Sequence, residues 1–397
     1  MKTILIMSQN AVFDLGNGAG KEVIFKTLNE LAKQFHVELI APGNDPQIKN
    51  CRFHNLPDNL FNKLKNIPII GFLYNFLYLI QLKWVIKETI TNKSLNPDLV
   101  YLAGPWMSNI GHSIYENKIP IVVRYYGVNW VPERHHSMRQ KIKFYLKNKG
   151  YKKFGDLVIM TNDGTRGDEF LDHMNCPQNK RLFLPNGIDF KQSSIKKVEA
   201  KKKLANTYKI LETNKILLTV SRLTSWKRVD RAILGLKEAL KYDNQISLVI
   251  VGDGEEKSRL ERLVDLEGLR TNVHFAGSIK HEFLSEYYIG CDAFLSLYDY
   301  SNAGNPLFEA MLNRCCIITL DSPAMKHFIS TKGAIMLKES SATNIGLGII
   351  EALKNENYRL ELGINAEQEV KENLLSWEER IAFEVGKIKD LLGQSKH

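Results

Sequence analysis

Short, continuous apolar runs alternate along the chain with segments in which apolar residues recur at helical spacing. Strands buried on both faces of a parallel sheet need such continuous runs, whereas half-exposed strands alternate apolar and polar positions. The pattern therefore predicts an α/β architecture with parallel sheets. The runs that predict strands are TILIMS, VELIAP, DLVYLA, IPIVVRYY, DLVIMT, RLFLPN, ILLTVSR, SLVIVGDG, NVHFAG, AFLSLY and CCIITL.

A polar, strand-free segment divides these runs into two sets. It extends from Ile195 to Lys215 and reads IKKVEAKKKLANTYKILETNK. Two series of parallel strands around a polar joint are typical of two doubly wound domains. We therefore predict a Rossmann-like domain over residues 1–192 and a second one over residues 193–375.

Two further segments are predicted to be helical. Residues 376–397 begin with Ser376 and have Glu379 three positions later, which is typical of a helix N-terminus, and we expect this helix to pack on the first domain. The apolar segment 67–86 is interrupted by Pro, Gly, Asn, Gln and Lys, so its apolar run is shorter than the ~20 residues that a membrane span needs. It is predicted to be a surface or core helix.

The composition narrows the class of protein. The chain has 397 residues with 44% hydrophobic and 25% charged residues, which are globular values. Its five cysteines form no CxxC pair, which argues against a zinc site or a disulfide framework and favours the reduced cytoplasm. The N-terminus MKTILIMSQN is predicted to be a buried strand instead of a signal peptide.

The positive charge is unevenly distributed. The net charge is +10, and residues 1–190 hold 24 Lys and Arg against 16 Asp and Glu, while the remainder holds 30 against 28. Within residues 134–153 there are eight Lys or Arg and no acid, with apolar residues at helical spacing. Such a helix either contacts an anionic membrane or is simply an exposed helix with a solvated face.

Two cations follow the predicted strand ILLTV. Arg222 and Lys227 lie five residues apart in a polar turn, at the carboxyl end of a strand where open α/β sheets bind ligands. They are suited to neutralising a diphosphate. The simpler alternative is a pair of solvated surface cations.

The segment SNAGNPLFEAM, from Ser301 to Met311, combines a Gly/Asn turn with the start of an apolar helix. A helix N-terminus has unpaired N–H groups and a partial positive charge, so phosphate is the ligand that it most often binds. The alternative is a capped core helix, which does not need the Asn-x-Gly-Asn-Pro sequence at its head.

Several sequence motifs, taken in order, resemble those of a known family. The stretch from Ile216 to Leu320, with SRLTSWKRVD, VGDGEEKSRL, VHFAGSI and NPLFEAM, resembles the donor-binding domain of glycosyltransferase family 4. These are retaining enzymes of the GT-B fold. In the first half, GNGAGKEVIFKTLNELAKQFHVELIAP, GDLVIMTNDG and PNGID also look like the family, so the likeness extends over nearly the whole chain.

The resemblance implies a role for each matching residue. Arg222 and Lys227 match the pair that binds the donor diphosphate, and Glu309 matches the glutamate that accepts hydrogen bonds from the ribose. These three are the expected catalytic residues. The expected donor-binding residues are Gly18, Gly252, Ser278, Ile279, Ser301, Asn302, Gly304, Asn305, Leu307 and Phe308, with Gly18 near donor and acceptor and the Ser278–Ile279 backbone at the base.

Three positions depart from the family pattern. Pro306 lies where the family usually offers a backbone N–H to phosphate, and proline has no N–H. Ser301 stands eight residues before Glu309, where the family has a glutamate that binds the transferred sugar. Tyr126 stands where the family has a histidine near the reacting carbon. The identity of the sugar is therefore open, and so is the alternative that the chain is a degenerate partner subunit that binds a nucleotide sugar without turnover.

The resemblance implies a GT-B protein with two domains facing across a cleft and the last helix crossing back to the first. The expected reaction moves a sugar from a nucleotide-diphosphate sugar to a glycan or lipid-linked acceptor, with retention and without a metal or other cofactor. We expect a cytoplasmic enzyme of surface polysaccharide or glycolipid synthesis, with peripheral contact to the inner face of an anionic membrane through residues 134–153. A nucleic-acid partner is not expected, because no base-reading motif is present.

Overall fold

The protein is described from a computed structural model, which divides the chain into two compact units. The first unit comprises Met1–Asn162, Arg166–Asn186 and Trp377–His397, and the second comprises Asp163–Thr165 and Gly187–Ser376. The residues that the structure describes are 1–8, 19–57, 71–128, 145, 148–190, 193–300, 303–323 and 325–394.

The first unit is built on a seven-stranded parallel sheet. Its order is β3-β2-β1-β4-β5-β6-β7, so the chain moves outwards from β1 in one direction and then returns to continue on the other side. The central strands are buried along their whole length, as continuous apolar runs require. The strands are Thr3–Ser8 (β1), His36–Ala41 (β2), Cys51–Asn55 (β3), Leu99–Ala103 (β4), Ile121–Tyr125 (β5), Leu157–Thr161 (β6) and Arg181–Leu184 (β7).

The second unit is built on a six-stranded parallel sheet of order β10-β9-β8-β11-β12-β13. Its first strand, β8, lies between the second and fourth strands of its sheet in chain order, as β1 does in the first sheet. In both sheets the strand order therefore reverses next to the first strand. The strands are Lys215–Val220 (β8), Ile246–Val251 (β9), Val273–Gly277 (β10), Ala293–Ser296 (β11), Ile317–Leu320 (β12) and Ala334–Leu337 (β13).

Helices connect the strands in both units. Their apolar residues pack on the sheets, while their charged residues form the exposed faces. The helices are Ala19–Gln34 (α1), Gly71–Asn92 (α2), Pro105–Tyr115 (α3), Gly167–His173 (α4), Lys197–Tyr208 (α5), Val229–Ala239 (α6), Lys257–Leu266 (α7), His281–Gly290 (α8), Asn305–Leu312 (α9), Ala342–Lys354 (α10), Glu356–Asn373 (α11) and Trp377–Gln394 (α12).

All eleven predicted strands are present, and the α/β class with two parallel sheets is confirmed. Two strands, β3 and β13, were not predicted, and both lie at the edge of a sheet. The strand β3 has Arg52 and Asn55 exposed, so it lacks the continuous apolar run that marks a central strand. The strand β13 has four residues, as do the predicted strands β7, β11 and β12, so its length does not explain why it was missed. The polar joint 195–215 contains α5 and lies within the second unit.

The last helix, α12, belongs to the first unit. Its apolar side chains lie in the same core as those of β1, β2 and α1, and the contributing residues are Trp377, Ile381, Val385, Ile388 and Leu392. In the part of the chain that the structure describes, no helix is both long enough and apolar enough to span a bilayer.

A charged cluster lies inside the first unit where α12 meets the sheet. The side chains of Arg124 and Glu384 are fully buried, and Arg380 is 1% exposed. Glu384 Oε2 lies 2.5 Å from Arg380 Nη1 and 3.4 Å from Arg124 Nη1, and Tyr101 donates to Oε1 at 2.8 Å. Arg124 also donates to Thr161 Oγ1 at 2.9 Å. The cluster therefore anchors α12 to β4, β5 and β6.

Burial by itself raises the pKa of Glu384, but the guanidinium groups of Arg124 and Arg380 outweigh that effect and hold its pKa below the usual value. The carboxylate is therefore charged at neutral pH and compensates the buried guanidinium charges.

Candidate active site

The candidate site lies at the carboxyl edge of the second sheet. The chain leaves β8 towards β9 on one side and later returns to β11 on the other side, so β8 and β11 flank the point where the strand order reverses. Open α/β sheets bind ligands in the crevice at this point. The segments that follow β8 and β11 supply most of the residues predicted for the site.

The turn after β8 carries the two predicted cations. Arg222 is exposed and lies two residues after the end of β8, while Lys227 ends a short 3-10 turn that spans Ser225–Lys227. The ammonium nitrogen of Lys227 lies 4.3 Å from the ring centroid of Trp226 and 4.1 Å from that of Tyr298. Arg222 and Lys227 thus occupy one short turn, as the sequence predicted.

The pKa of Lys227 is lowered to about 7, mainly because burial disfavours the charged form. The nearby carboxylate of Asp163 opposes this shift, and the positive charge of Arg222 adds to it. A diphosphate bound between the two cations would restore the ordinary preference of Lys227 for its charged form. A strongly perturbed pKa at a ligand-binding edge is itself a marker of a functional site.

Glycine residues allow the neighbouring loop to approach the turn. Gly252 follows β9 with φ of 130°, and a Cβ added there would lie 1.8 Å from the carbonyl oxygen of Ser221. Its N–H donates to the carbonyl of Gly277 at 2.8 Å. In the structure, Gly252 therefore permits close backbone packing beneath Arg222, and its predicted contact with the donor remains a prediction.

The helix α9 begins beside this edge. Gly304 is its N-cap with extended backbone and itself has no side chain that could cap the helix, and Asn305 is the first helical residue. Leu307 and Phe308 are each 1% exposed, so their side chains belong to the core. Any contact of these two residues with a donor therefore has to come from the backbone.

Glu309 is held from two directions. Tyr288 donates to Oε2 at 2.9 Å, and the Nε2 atom of His281 lies 3.0 Å from Oε1. Burial and the adjacent carboxylate raise the pKa of Tyr288 well above its usual value, so its hydroxyl is a donor at neutral pH. The carboxylate of Glu309 is therefore oriented before any ligand binds.

The remaining predicted residues fall into two groups. Ser278 and Ile279 follow β10, with Ser278 exposed and Ile279 packed against the core of the second unit. Gly18, Ser301 and Asn302 lie outside the described residues. Among the described residues, no group of three or more His, Cys, Asp and Glu has a geometry that would hold a metal ion.

Tyr126 lies in the first unit, at the carboxyl end of β5. The guanidinium carbon of Arg124 lies 5.1 Å from the centroid of its ring. Burial raises the pKa of Tyr126 well above the usual value, and Arg124 lowers it only in part. Tyr126 is therefore a neutral phenol at physiological pH and, unlike histidine, has no basic nitrogen.

Four side chains of the site were not predicted: Trp226, His281, Tyr288 and Tyr298. Each acts through a residue that was predicted, since Trp226 and Tyr298 contact Lys227 while His281 and Tyr288 contact Glu309. Trp226 is adjacent to Lys227 in the sequence and offered a signal. The other three are separated from their partners by 21 or more residues and carried none.

Comparison with known proteins gives a family match over part of the chain. Residues 200–369 match the family model described as "Glycosyl transferases group 1". The match covers less than half of the 397 residues, and over this segment the chain is similar to the family. The group 1 match covers β8 to β13 and so includes every described residue of the candidate site except those of the first unit.

Individual relatives extend the similarity beyond the segment that the family model matches. The chain is 25% identical over 352 residues to the alpha-monoglucosyldiacylglycerol synthase of Streptococcus pneumoniae, covering 84% of this chain and 75% of that protein. It is 30% identical over 206 residues to an uncharacterised glycosyltransferase of Methanocaldococcus jannaschii, covering about half of each chain (49% and 50%).

Solved structures share the fold. A sucrose-phosphate synthase from Thermosynechococcus elongatus superposes with a TM-score of 0.77 at 18% identity, covering 100% of both chains. Anabaena HepE, solved with UDP and glucose, gives a TM-score of 0.71 at 15% identity and covers 99% of this chain and 100% of its own. The GT-B class predicted from the sequence is thereby confirmed.

Proposed function

We propose that this protein is a glycosyltransferase that moves a sugar from a nucleoside diphosphate sugar to a glycan or lipid-linked acceptor, with retention of configuration and without a bound metal. The observation that carries the proposal is the turn after β8, which presents Arg222 and the low-pKa Lys227 at the ligand-binding edge of the sheet. A cationic pair at that position is suited to a diphosphate leaving group.

The proposed roles follow from the chemistry of each group. Negative charge grows on the diphosphate as the glycosidic bond breaks, and Arg222 and Lys227 stabilise that charge in the transition state. The N-terminus of α9 adds the partial positive charge of the helix dipole. Glu309, held by Tyr288 and His281, accepts hydrogen bonds from the ribose.

Uracil is the base that we propose for the nucleotide of the donor. Anabaena HepE was solved with UDP-glucose, and the pneumococcal transferase GtfA was solved with UDP and GlcNAc. These proteins share the fold at 15% and 18% identity, so they support the choice of a first probe. Ser301 is shorter than the glutamate that the family has at this position, and it is uncharged. We propose that it alters which sugar is accepted.

The acceptor is proposed from the relatives and from the charge of the first half. Relatives include the diacylglycerol glycolipid synthase and a poly(ribitol-phosphate) alpha-N-acetylglucosaminyltransferase of Staphylococcus aureus. We propose a cytoplasmic enzyme that reaches a surface glycan or glycolipid precursor at the inner membrane face. The basic segment 134–153, most of which lies outside the described residues, would supply attraction to anionic lipid.

A ligand panel and a turnover assay test the donor. Thermal shifts are measured with UDP-, ADP-, GDP- and dTDP-linked glucose and N-acetylglucosamine, and a donor at 100 times its dissociation constant should stabilise the protein by ~2.7 kcal/mol. Sugar release or transfer from the best donor is then followed with EDTA present, and the anomer of the product is determined by NMR. A protein that no nucleotide sugar stabilises would overturn the proposal.

The second candidate is a degenerate partner subunit, favoured by Ser301 and Tyr126 at two positions where the resemblance implies sugar-binding and catalytic groups. It predicts donor binding without turnover in the presence of any acceptor. Hydrolysis or transfer that is lost in Lys227→Ala would exclude it.

Membrane contact has its own test. The parent should sediment with anionic vesicles at low salt, dissociate at high salt and ignore neutral vesicles, because the attraction is screened within ~8 Å. A variant with Lys141, Lys143, Lys147 and Lys149 changed to Gln should lose this binding and keep its donor affinity. A parent that ignores anionic vesicles at low salt would favour a soluble acceptor.

A further inference from the structure

The ammonium group of Lys227 lies over two aromatic rings that the proposed reaction does not explain. Its nitrogen is 4.3 Å from the ring centroid of Trp226 and 4.1 Å from that of Tyr298, and cations are attracted to ring faces within ~6 Å. We propose that Trp226 and Tyr298 are positioning residues, forming an aromatic clamp that holds the Lys227 ammonium where it meets the donor diphosphate. This inference rests on the proposed function.

Tyr298 is the fixed side of the clamp. It is 3% exposed, and its hydroxyl donates to the carbonyl oxygen of Val220 at the end of β8 over 2.9 Å. Burial raises the pKa of Tyr298 above its usual value, so the ring carries no negative charge at neutral pH. The plane of the ring is therefore set by the sheet itself.

The backbone of Trp226 is hydrogen-bonded to the segment that contains Tyr298. The N–H of Asp299, which follows Tyr298, donates to the carbonyl of Trp226 at 3.1 Å. The carboxylate of Asp299 lies 3.3 Å from Arg228 and 2.7 Å from Arg231, at the start of α6. The two halves of the clamp thus belong to segments that are joined by a backbone hydrogen bond and two ion pairs.

An aromatic clamp solves a specific problem of a lysine at an anion site. A lysine side chain has a flexible four-carbon stem and loses rotamer freedom when it is fixed. The carboxylate of Asp163 already acts on the ammonium group, and each further carboxylate would add a negative charge that repels phosphate. The two ring faces attract the ammonium group without adding any further negative charge to the site.

The test compares UDP with uridine, which lacks both phosphates. Tyr298→Leu and Trp226→Leu remove one ring face each and should each weaken UDP binding about tenfold, which is within the range of a desolvated cation–π contact. Uridine affinity should stay within about twofold in the same variants, because the clamp acts only through the phosphates. Isothermal titration calorimetry at one fixed pH measures both ligands.

Matched controls separate the ring from the fold. Tyr298→Phe and Trp226→Phe keep a ring face and should stay near the parent, while Tyr242→Leu removes an aromatic side chain that is 67% exposed at the end of α6. In a Lys227→Ala background, Tyr298→Leu should cause no further loss of UDP affinity, because the residue through which it acts is gone.

The outcomes distinguish the clamp from the proposed function. Leu variants that bind UDP like the parent, or that lose UDP and uridine equally, overturn the clamp while the diphosphate site stands. A parent that binds no nucleoside diphosphate overturns both. If the panel identifies another base, GDP with guanosine or ADP with adenosine replaces the probe pair.

Discussion

Arg124 in the first unit and Lys227 in the second are both cations withdrawn from water, but their surroundings differ. Arg124 is fully buried and lies against the carboxylate of Glu384, with a hydroxyl acceptor on Thr161. Lys227 lies over two neutral rings, with the carboxylate of Asp163 and the cation Arg222 nearby, and burial lowers its pKa to about 7. The first arrangement neutralises charge and stabilises the fold, whereas the second preserves a positive site at the cost of a perturbed pKa.

The largest effect is expected from removing the carboxylate of the first arrangement. Glu384→Gln leaves two buried guanidinium groups without a counter-charge and should destabilise the protein by about 3–5 kcal/mol, measured by urea unfolding. Glu30→Gln, which removes the half-buried partner of the exposed Lys33 on α1, is the control and should cost less than about 1 kcal/mol. Similar losses of unfolding free energy in both variants would show that stability does not depend on Glu384 as the counter-charge of Arg124.

Removing the cations of the second arrangement should affect binding and leave stability intact. Lys227→Ala and Arg222→Ala should each weaken UDP-sugar binding by about 1.5–3 kcal/mol, the range for hydrogen bonds to charged groups. Calorimetric titration measures the affinity, and urea unfolding of the free variants serves as the control. If both variants bind UDP-sugars like the parent, the diphosphate site lies elsewhere.

The low pKa of Lys227 predicts a pH dependence of donor affinity. The charged form binds the diphosphate, so affinity should be constant below about pH 7 and fall as pH rises through the pKa of the free enzyme, by up to about tenfold per pH unit. A nucleoside diphosphate sugar is the appropriate ligand, because its diphosphate is a diester and does not titrate near neutrality. Lys227→Arg should flatten the profile. A flat profile in the parent would mean that Lys227 stays charged.

A smaller effect is expected for the group that orients Glu309. Tyr288→Phe removes one hydrogen bond to the carboxylate and should weaken nucleotide binding by about 0.5–1.5 kcal/mol.

Glu309→Gln should weaken the binding of UDP and of UDP-sugar alike, because the ribose is common to both ligands. Ser301→Ala should instead change discrimination among sugars and leave UDP affinity unchanged, and equal losses for both ligands would contradict its assignment to the sugar.

Sequence patterns predicted what depends on neighbouring residues and missed what depends on distant ones. Continuous apolar runs identified the buried strands, and the short spacing between Arg222 and Lys227 placed both cations in one turn. The edge strand β3 was missed because its exposed residues interrupt the apolar signal, whereas the apolar strand β13 offers no such reason.

The charge cluster and the clamp were missed because pairing is set by the fold. Arg124 and Glu384 are 260 residues apart in the sequence, and neither position carries a local signal for the other. Tyr298 follows β11, the strand that pairs with β8, and contacts Lys227 of the turn after β8. In the sequence it is indistinguishable from other core aromatic residues.

The membership of α12 in the first unit has a consequence for biosynthesis. A ribosome completes the second unit, which ends at Ser376, before Trp377 emerges, yet the core of the first unit includes five apolar side chains of α12. The part of the protein that is translated first therefore finishes folding last, and until then it presents an uncovered apolar surface of β1, β2 and α1. Nascent chains halted before residue 377 should be the species that chaperones hold.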